Sequence, residues 1–375
     1  MKQKYEYYTI TLTAKSPIFV GDGSQLSKKE YIFDGKTKKV IIPKFDKLYQ
    51  EIQRRGLENQ FQEYMLNNRK VTLGEWLLHN RFSEGDYAKW TKYELDCGDA
   101  IIDKGKTLEV RTFTKDVYGK PYIPGSSLKG MFRTLLLAHD IDADLNKYNR
   151  MSHSISYNSK QRANRKYYLS DDIRDVEVER FHLLEKDKKN RSKMTNDIMS
   201  SVIVSDSVPL NITDLVLCQK IDVHTDGNSK KINLLRECLK PETEIQFELK
   251  IDKETGITEQ LIIDAVKSFG DMYYNVYLNK FGIDRPKNNV VWIGGGTGFI
   301  TKTIIYSMFP KEQGVKVADD ILKCTLSEKI YDKHKHSMNL RKGIAPHVVK
   351  MTRYKGKLYQ MGMAEVKVDK ITENV

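Results

Sequence analysis

Cysteine is scarce in this chain: Cys97, Cys218, Cys238 and Cys324 stand far apart and form no C-x-x-C pair. That spacing speaks against a zinc knuckle and a disulfide framework, and the thiols are expected to be buried or reduced. No apolar run approaches the ~20 residues that a membrane-spanning helix needs. The first eight residues are charged and tyrosine-rich rather than a basic segment followed by an apolar one, so no secretory leader is expected and the chain is read as cytoplasmic. Nucleotide motifs are missing as well. Lys129 precedes Gly130 and Gly298 is followed by Phe299, so neither stretch completes G-x-x-x-x-G-K-[ST], and no G-x-G-x-x-G opens a helix in a βαβ unit. The histidines form neither H-x-x-x-H nor H-E-x-x-H. No cofactor and no metal site are expected, and ATP or NAD chemistry is disfavoured.

What the chain has in excess is positive charge. Lys and Arg number 63 against 50 Asp and Glu, a formal net charge of +13, which points to an anionic partner. Without apolar or amphipathic anchors that partner is nucleic acid rather than a membrane. A length of 375 residues exceeds the usual limit of one core, so two domains are expected.

Residues 5–14 alternate in a period of two and are rich in β-branched and aromatic side chains, so the chain opens with a strand whose continuation, 16–23, ends in a glycine turn. Residues 31–36 and 39–43 flank an Asp-Gly turn, a hairpin signal. Helical spacing over 44–55, 58–67 and 73–80 marks a helical insertion within about 44–107. Residues 108–123 read as strand, turn and strand, followed by a helix to about Ala138 or His139. The stretch 140–200 is polar and weakly periodic except over 176–184. Its basic tracts at 160–166 and 186–191 suggest long solvated loops or a mobile basic arm. Strands are expected at 201–207, 215–223 and 244–251, an amphipathic helix over 258–281, a strand at 290–293, and a closing pair of strands at 358–363 and 364–368. The resulting fold class is α+β, with each sheet carrying helices on one face.

Two stretches carry chemistry. In Pro124-Gly125-Ser126-Ser127-Leu128-Lys129-Gly130 a turn becomes a helix, with Ser126 or Ser127 placed as the N-cap, and Lys129 and Arg133, four apart, share one face. Free amides, the dipole and two cations together make a phosphate seat, although an ordinary capped core helix can begin in the same way. Gly294-Gly295-Gly296-Thr297-Gly298 puts no side chain between its amides and a ligand, or else forms a tight connection under a packed helix. With Lys302, Lys350 and Arg353 as further cations, and tyrosines, Trp292 and Phe299 as stacking faces, single-stranded RNA bound along its sugar-phosphate path fits this combination. Trp292 itself is more a core residue than a base platform. His139 stands at the expected helix end, where the dipole explains it, and His334, His336 and His347 stand among cations.

The first stretch, with Arg133, resembles the Pro-Gly-Ser-Ser-x-Lys-Gly signature of the RAMP superfamily of CRISPR-Cas proteins, and 294–299 resembles its C-terminal glycine-rich loop. Together with residues 17–23, the pattern is most similar to the fifth-subunit family of type III-A (Csm) effector complexes. The resemblance implies two ferredoxin-like (RRM-like) units with a helical insertion and long basic loops. They are placed at 1–210, with insertions at about 44–107 and 140–200, and at 211–375, with the glycine-rich loop 294–298. It further implies a non-catalytic subunit that caps the 3′ end of the crRNA, with the backbone RAMP subunit, other Csm subunits and target RNA as partners. The residues assigned to RNA on these grounds are Gly21, Gly125, Ser126, Ser127, Lys129, Arg133, Gly294, Gly295, Gly296, Gly298, Lys302, His347, Lys350 and Arg353. The alternatives are a metal-independent endoribonuclease that processes repeat RNA with a histidine, and a single-strand RNA binder acting alone.

Overall fold

The computed structural model describes residues 4–67, 71–100, 108–161, 168–183 and 193–371. Strand β1 (Tyr5–Ala14) buries Tyr8, Ile10, Leu12 and Ala14 and leaves the alternate tyrosine and threonines half-buried, as its period of two requires. Beyond it, β2 (Gly21–Leu26) occupies the expected glycine turn, and β3 (Ile32–Asp34) and β4 (Lys39–Pro43) form the Asp-Gly hairpin. Helices α1 (Phe45–Arg54), α2 (Glu58–Asn67), α3 (Leu73–His79) and α4 (Glu84–Trp90) fold on that hairpin around a core of their own, built from Leu48, Ile52, Phe61, Tyr64, Trp76 and Trp90. Thr72 and Glu75 form a capping box that fixes where α3 begins.

Strands β5 (Thr91–Asp96) and β6 (Glu109–Phe113) lead to α5 (Gly125–Ala143). The second strand expected before α5 is a single bridge, Lys115 with Pro121. The described part of 140–200 is helical rather than looped: α6 (Asn149–Asn158) and α7 (Ser170–Phe181) each bury a narrow apolar edge, Ile155 in one and Val176 and Phe181 in the other. The tract 186–191 and most of 160–166 lie outside the described residues.

The chain then runs through β7 (Val202–Val204), β8 (Leu215–His224), β9 (Ser229–Leu239), β10 (Glu244–Asp252), α8 (Glu259–Val276) and β11 (Val290–Trp292). Four helices absent from the sequence reading follow: α9 (Ile305–Met308), α10 (Lys311–Thr325), α11 (Glu328–Lys333) and α12 (Asn339–Lys342). Strands β12 (Val348–Tyr354), β13 (Lys357–Gln360) and β14 (Met363–Lys370) close the chain.

One sheet has the order β11-β14-β1-β10-β7 with every pairing antiparallel. The inward face of β1 and β10 meets α5 and α8 through Leu128, Phe132, Val266 and Phe269. Each such aliphatic or aromatic side chain, fully buried, contributes about 1.5–3 kcal/mol. The second sheet runs β2-β6-β9-β8-β5-β4-β3, with β12 and β13 joined to it through β8. Both sheets take strands from either side of residue 210, so the expected division there does not coincide with a boundary between sheets. The overall class is α+β. Among the described residues no helix is long and apolar enough to cross a membrane, and no group of His, Cys, Asp or Glu is arranged to hold a metal ion.

Candidate nucleic-acid interface

The glycine-rich loop leaves β11 and is pressed onto the segment between β1 and β2. Gly295 N–H donates to the Phe19 carbonyl at 2.6 Å, so this amide is used inside the protein rather than left bare. Gly294 has φ +86°, and a Cβ there would collide with the same carbonyl. A Cβ on Gly296 would stand 2.6 Å from Nη1 of Arg236. Only residues without side chains allow this approach. Trp292, just before the loop, is core: its Nε1–H donates to Gln360 at 3.1 Å and its ring meets Tyr273 edge-on.

Helix α5 begins one residue before the expected caps. Pro124 is the N-cap, and Ser126 and Ser127 sit in the first turn. Gly125 is packed against the backbone of Val204 and Ser205, and its N–H donates to Asp206 at 2.8 Å. An aspartate therefore already answers the positive end of this helix.

The two glycine segments converge on one cleft of about 470 Å³, lined by residues that include Val20, Gly21, Ser127, Gly294, Gly295, Arg111 and Lys302. Its electrostatics are one-sided. Arg111 and Lys302 have no carboxylate partner among the described residues, and burial, then repulsion from Arg236, pulls the Lys302 pKa below its ordinary value. Arg236 lies behind the loop at 7% exposure. Its guanidinium stands 5.2 Å from the Phe19 ring centre, Nη1 reaches Met361 Sδ at 3.3 Å, and Nε is left without a partner. Burial lowers the Arg236 pKa too, yet a guanidinium stays charged. Two cations lining a narrow cleft, a third behind its glycine loop and no carboxylate bonded to any of them among the described residues form an anion-binding arrangement.

The remaining sequence-assigned residues stand elsewhere. Arg133 is bound to Glu177 at 3.1 Å and Asp197 at 2.7 Å and lies over the Phe181 ring, so it ties α5 to α7. Lys129 is half-buried on the same helix, its pKa lowered by burial. His347 is 1% exposed and shares a 2.5 Å hydrogen bond with Asn339 Oδ1, and burial pushes its pKa down to about 4. Lys350 is paired with Asp222 at 3.2 Å, and Arg353 donates to Gly356 O in the β12–β13 hairpin. Ser126 and Gly298 are not in the cleft lining, and Gly296 faces Arg236 rather than solvent. The sequence reading missed Arg111 and Arg236. Arg111 had a faint signal as the outward residue of an alternating strand, whereas Arg236 had none.

The profile of the RAMP superfamily matches residues 11–307, and the chain belongs to that superfamily. Among individual proteins it is 26% identical to the CRISPR system Cms protein Csm5 of Mycobacterium tuberculosis, with 96% of this chain and 97% of that protein covered. It is 28% identical to the protein of the same name from Streptococcus thermophilus, covering 81% and 82%. The crystal structure of T. onnurineus Csm5 matches with a TM-score of 0.60 at 18% identity, over 95% of this chain and 99% of that one. A chain in a cryo-EM structure of a type III-A Csm–crRNA–target RNA ternary complex matches with a TM-score of 0.59 at 18% identity, over 96% and 100%.

Proposed function

We propose that this chain is the non-catalytic RNA-binding subunit that holds the 3′ end of the crRNA in a type III-A Csm effector complex. In that role it docks on the last backbone RAMP subunit and contributes to assembly and to crRNA maturation in the cytoplasm. The observation that carries the reading is the cleft in which the two glycine segments meet beside Arg111 and Lys302, with Arg236 behind the loop, cations that no carboxylate bonds among the described residues. Backbone and point charges read phosphates without reading sequence, which suits a subunit that must accept any guide. The names of the relatives support the assignment to a Csm complex. The order β14-β1-β10-β7, with α5 between β1 and β7 and α8 between β10 and β14, supports a ferredoxin-like reading of this sheet. No histidine is among the described residues that line the cleft, which favours binding over cleavage there.

The test is a tagged complex carrying Arg111→Glu with Lys302→Glu, purified and its RNA sized. The subunit is expected to be lost, or guides of altered 3′ length to accumulate, while thermal unfolding of the isolated variant stays near wild type. Full-length guide and wild-type occupancy in a folded double variant would defeat the proposal.

A further inference from the structure

Val117 and Tyr118 are the most exposed large hydrophobic side chains among the described residues, at 94% and 86%. They do not belong to a loose loop. Asp116 Oδ1 accepts from the N–H groups of Tyr118 at 2.9 Å and Lys120 at 2.8 Å, Gly119 N–H donates to Asp116 O at 3.0 Å, and Asp116 N–H donates back to Lys120 O at 2.9 Å. Below the tip, Lys115 bridges Pro121 and Tyr122 N–H donates to Thr114 O at 3.1 Å. The turn holds two apolar side chains out in water, against the hydrophobic effect.

Its feet stand on the cleft. Thr114 donates to the Val20 carbonyl from both N–H, at 2.9 Å, and Oγ1, at 3.1 Å, and Val20 lines the cleft wall. Phe113, the residue before it, is paired with Gly21, another wall residue. The other foot runs through residues 121–124 into α5, whose Ser127 also lines the cleft. Lys120 is exposed on the same turn. An exposed aromatic side chain and a cation therefore stand on a hydrogen-bonded turn whose base is bonded to the wall of a cleft that gathers positive charge.

From this arrangement we infer that the Val117–Tyr118 tip is a stacking wedge for a nucleobase of the single strand whose phosphates occupy the cleft. The inference rests on the cleft being an RNA site. A base offers a π-face whatever its identity, and one tyrosine suffices to bind it, with Val117 supporting the ring edge. A protein partner fits this tip less well. A stable protein interface needs about 800 Å² on each side around an apolar centre, whereas one aromatic side chain supplies about 150–250 Å².

The experiment uses the full chain and a single-stranded RNA carrying 2-aminopurine at successive positions. Tyr118→Ala is expected to weaken binding about five- to a hundredfold, the range of one lost base stack. It is also expected to remove the fluorescence quenching at one position and leave the slope of log K against log salt unchanged. Tyr118→Phe should restore both affinity and quenching. Because the side chain touches solvent, both variants should melt with wild type. If Tyr118→Ala and Val117→Ala bind as wild type while Arg111→Gln does not, the wedge is refuted and the cleft stands. Should those two variants bind RNA normally yet fail to enter the assembled complex, the tip docks a protein and the inference is overturned. A wild-type chain that binds this RNA without salt dependence would remove the cleft reading and the wedge together.

Discussion

Arg133 and Arg236 are both drawn into the protein, and their surroundings treat them in opposite ways. Burial works against the charge of Arg133, but Glu177 and Asp197 outweigh it and the pKa is raised. Arg236 meets the same penalty without a carboxylate bond, and its pKa is lowered. Arg133 sits in the sequence motif and Arg236 in no motif at all. The difference teaches that counting cations near a motif does not find a binding site. An arginine with two acidic partners is a fastener between helices, and one buried behind a cleft without a bonded carboxylate is the kind that the proposed RNA site would use.

The largest effect expected from this contrast is on RNA. Replacing Arg111 and Lys302 together by glutamine should weaken single-strand RNA binding about a hundredfold near 0.1 M salt and flatten the salt slope by about 1.4. Filter binding at several salt concentrations reads both quantities, and an unchanged slope would erase the distinction between the two regions. Next comes Arg133→Met, which leaves Glu177 and Asp197 unpaired and should lower stability by about 1–2 kcal/mol with RNA affinity kept within about twofold. Denaturant melts beside the same binding assay decide this one. A large loss of affinity in a folded Arg133→Met chain would place the motif arginine on RNA after all. The smallest and sharpest effect is that of Arg236→Met. Removing a poorly satisfied buried charge should leave stability unchanged or raise it by up to about 1 kcal/mol, while affinity falls several-fold. Stability and binding moving down together would mean that Arg236 is a fastener too.

Where one face of an element is buried and the other wet, the sequence made the element visible. Strand β1, the hairpin 31–43, the insertion helices α1, α2 and α3, and α8 all follow their periods, whereas α4 was not expected. Strand β9 did not, because its outer end is charged and its inner end, from Leu235 to Leu239, is buried on every residue, so no alternation remains. Helix α10 carries Gly314 and many charges in its first turns, which masked an apolar edge of Val315, Ala318 and Ile321. The site was half legible. Glycines announce close approach, and Gly21, Ser127, Gly294, Gly295 and Lys302 do meet in one cleft. What they approach was hidden: Gly294 and Gly295 press against Phe19 and Gly296 against Arg236, contacts between residues more than fifty positions apart that no local pattern encodes. Lys350 looked equivalent to Lys302 because charge is visible in a sequence and its neutralisation, here by Asp222, is not.

The position of β1 has a consequence in time. It lies between β10 and β14, pairing over most of its length with both, so the first strand made waits for the last before its sheet is whole. A ribosome would have added every residue between them before Leu12 could find Val366 beside it. Until then the alternating apolar face of β1 has only part of its cover, and folding is slow in the manner of long-range strand pairing. Shortening the chain by the few residues of β14 would therefore not trim a tail. It would remove the neighbour that β1 depends on, and a product interrupted before β14 should go to proteolysis rather than compete with the finished subunit for RNA.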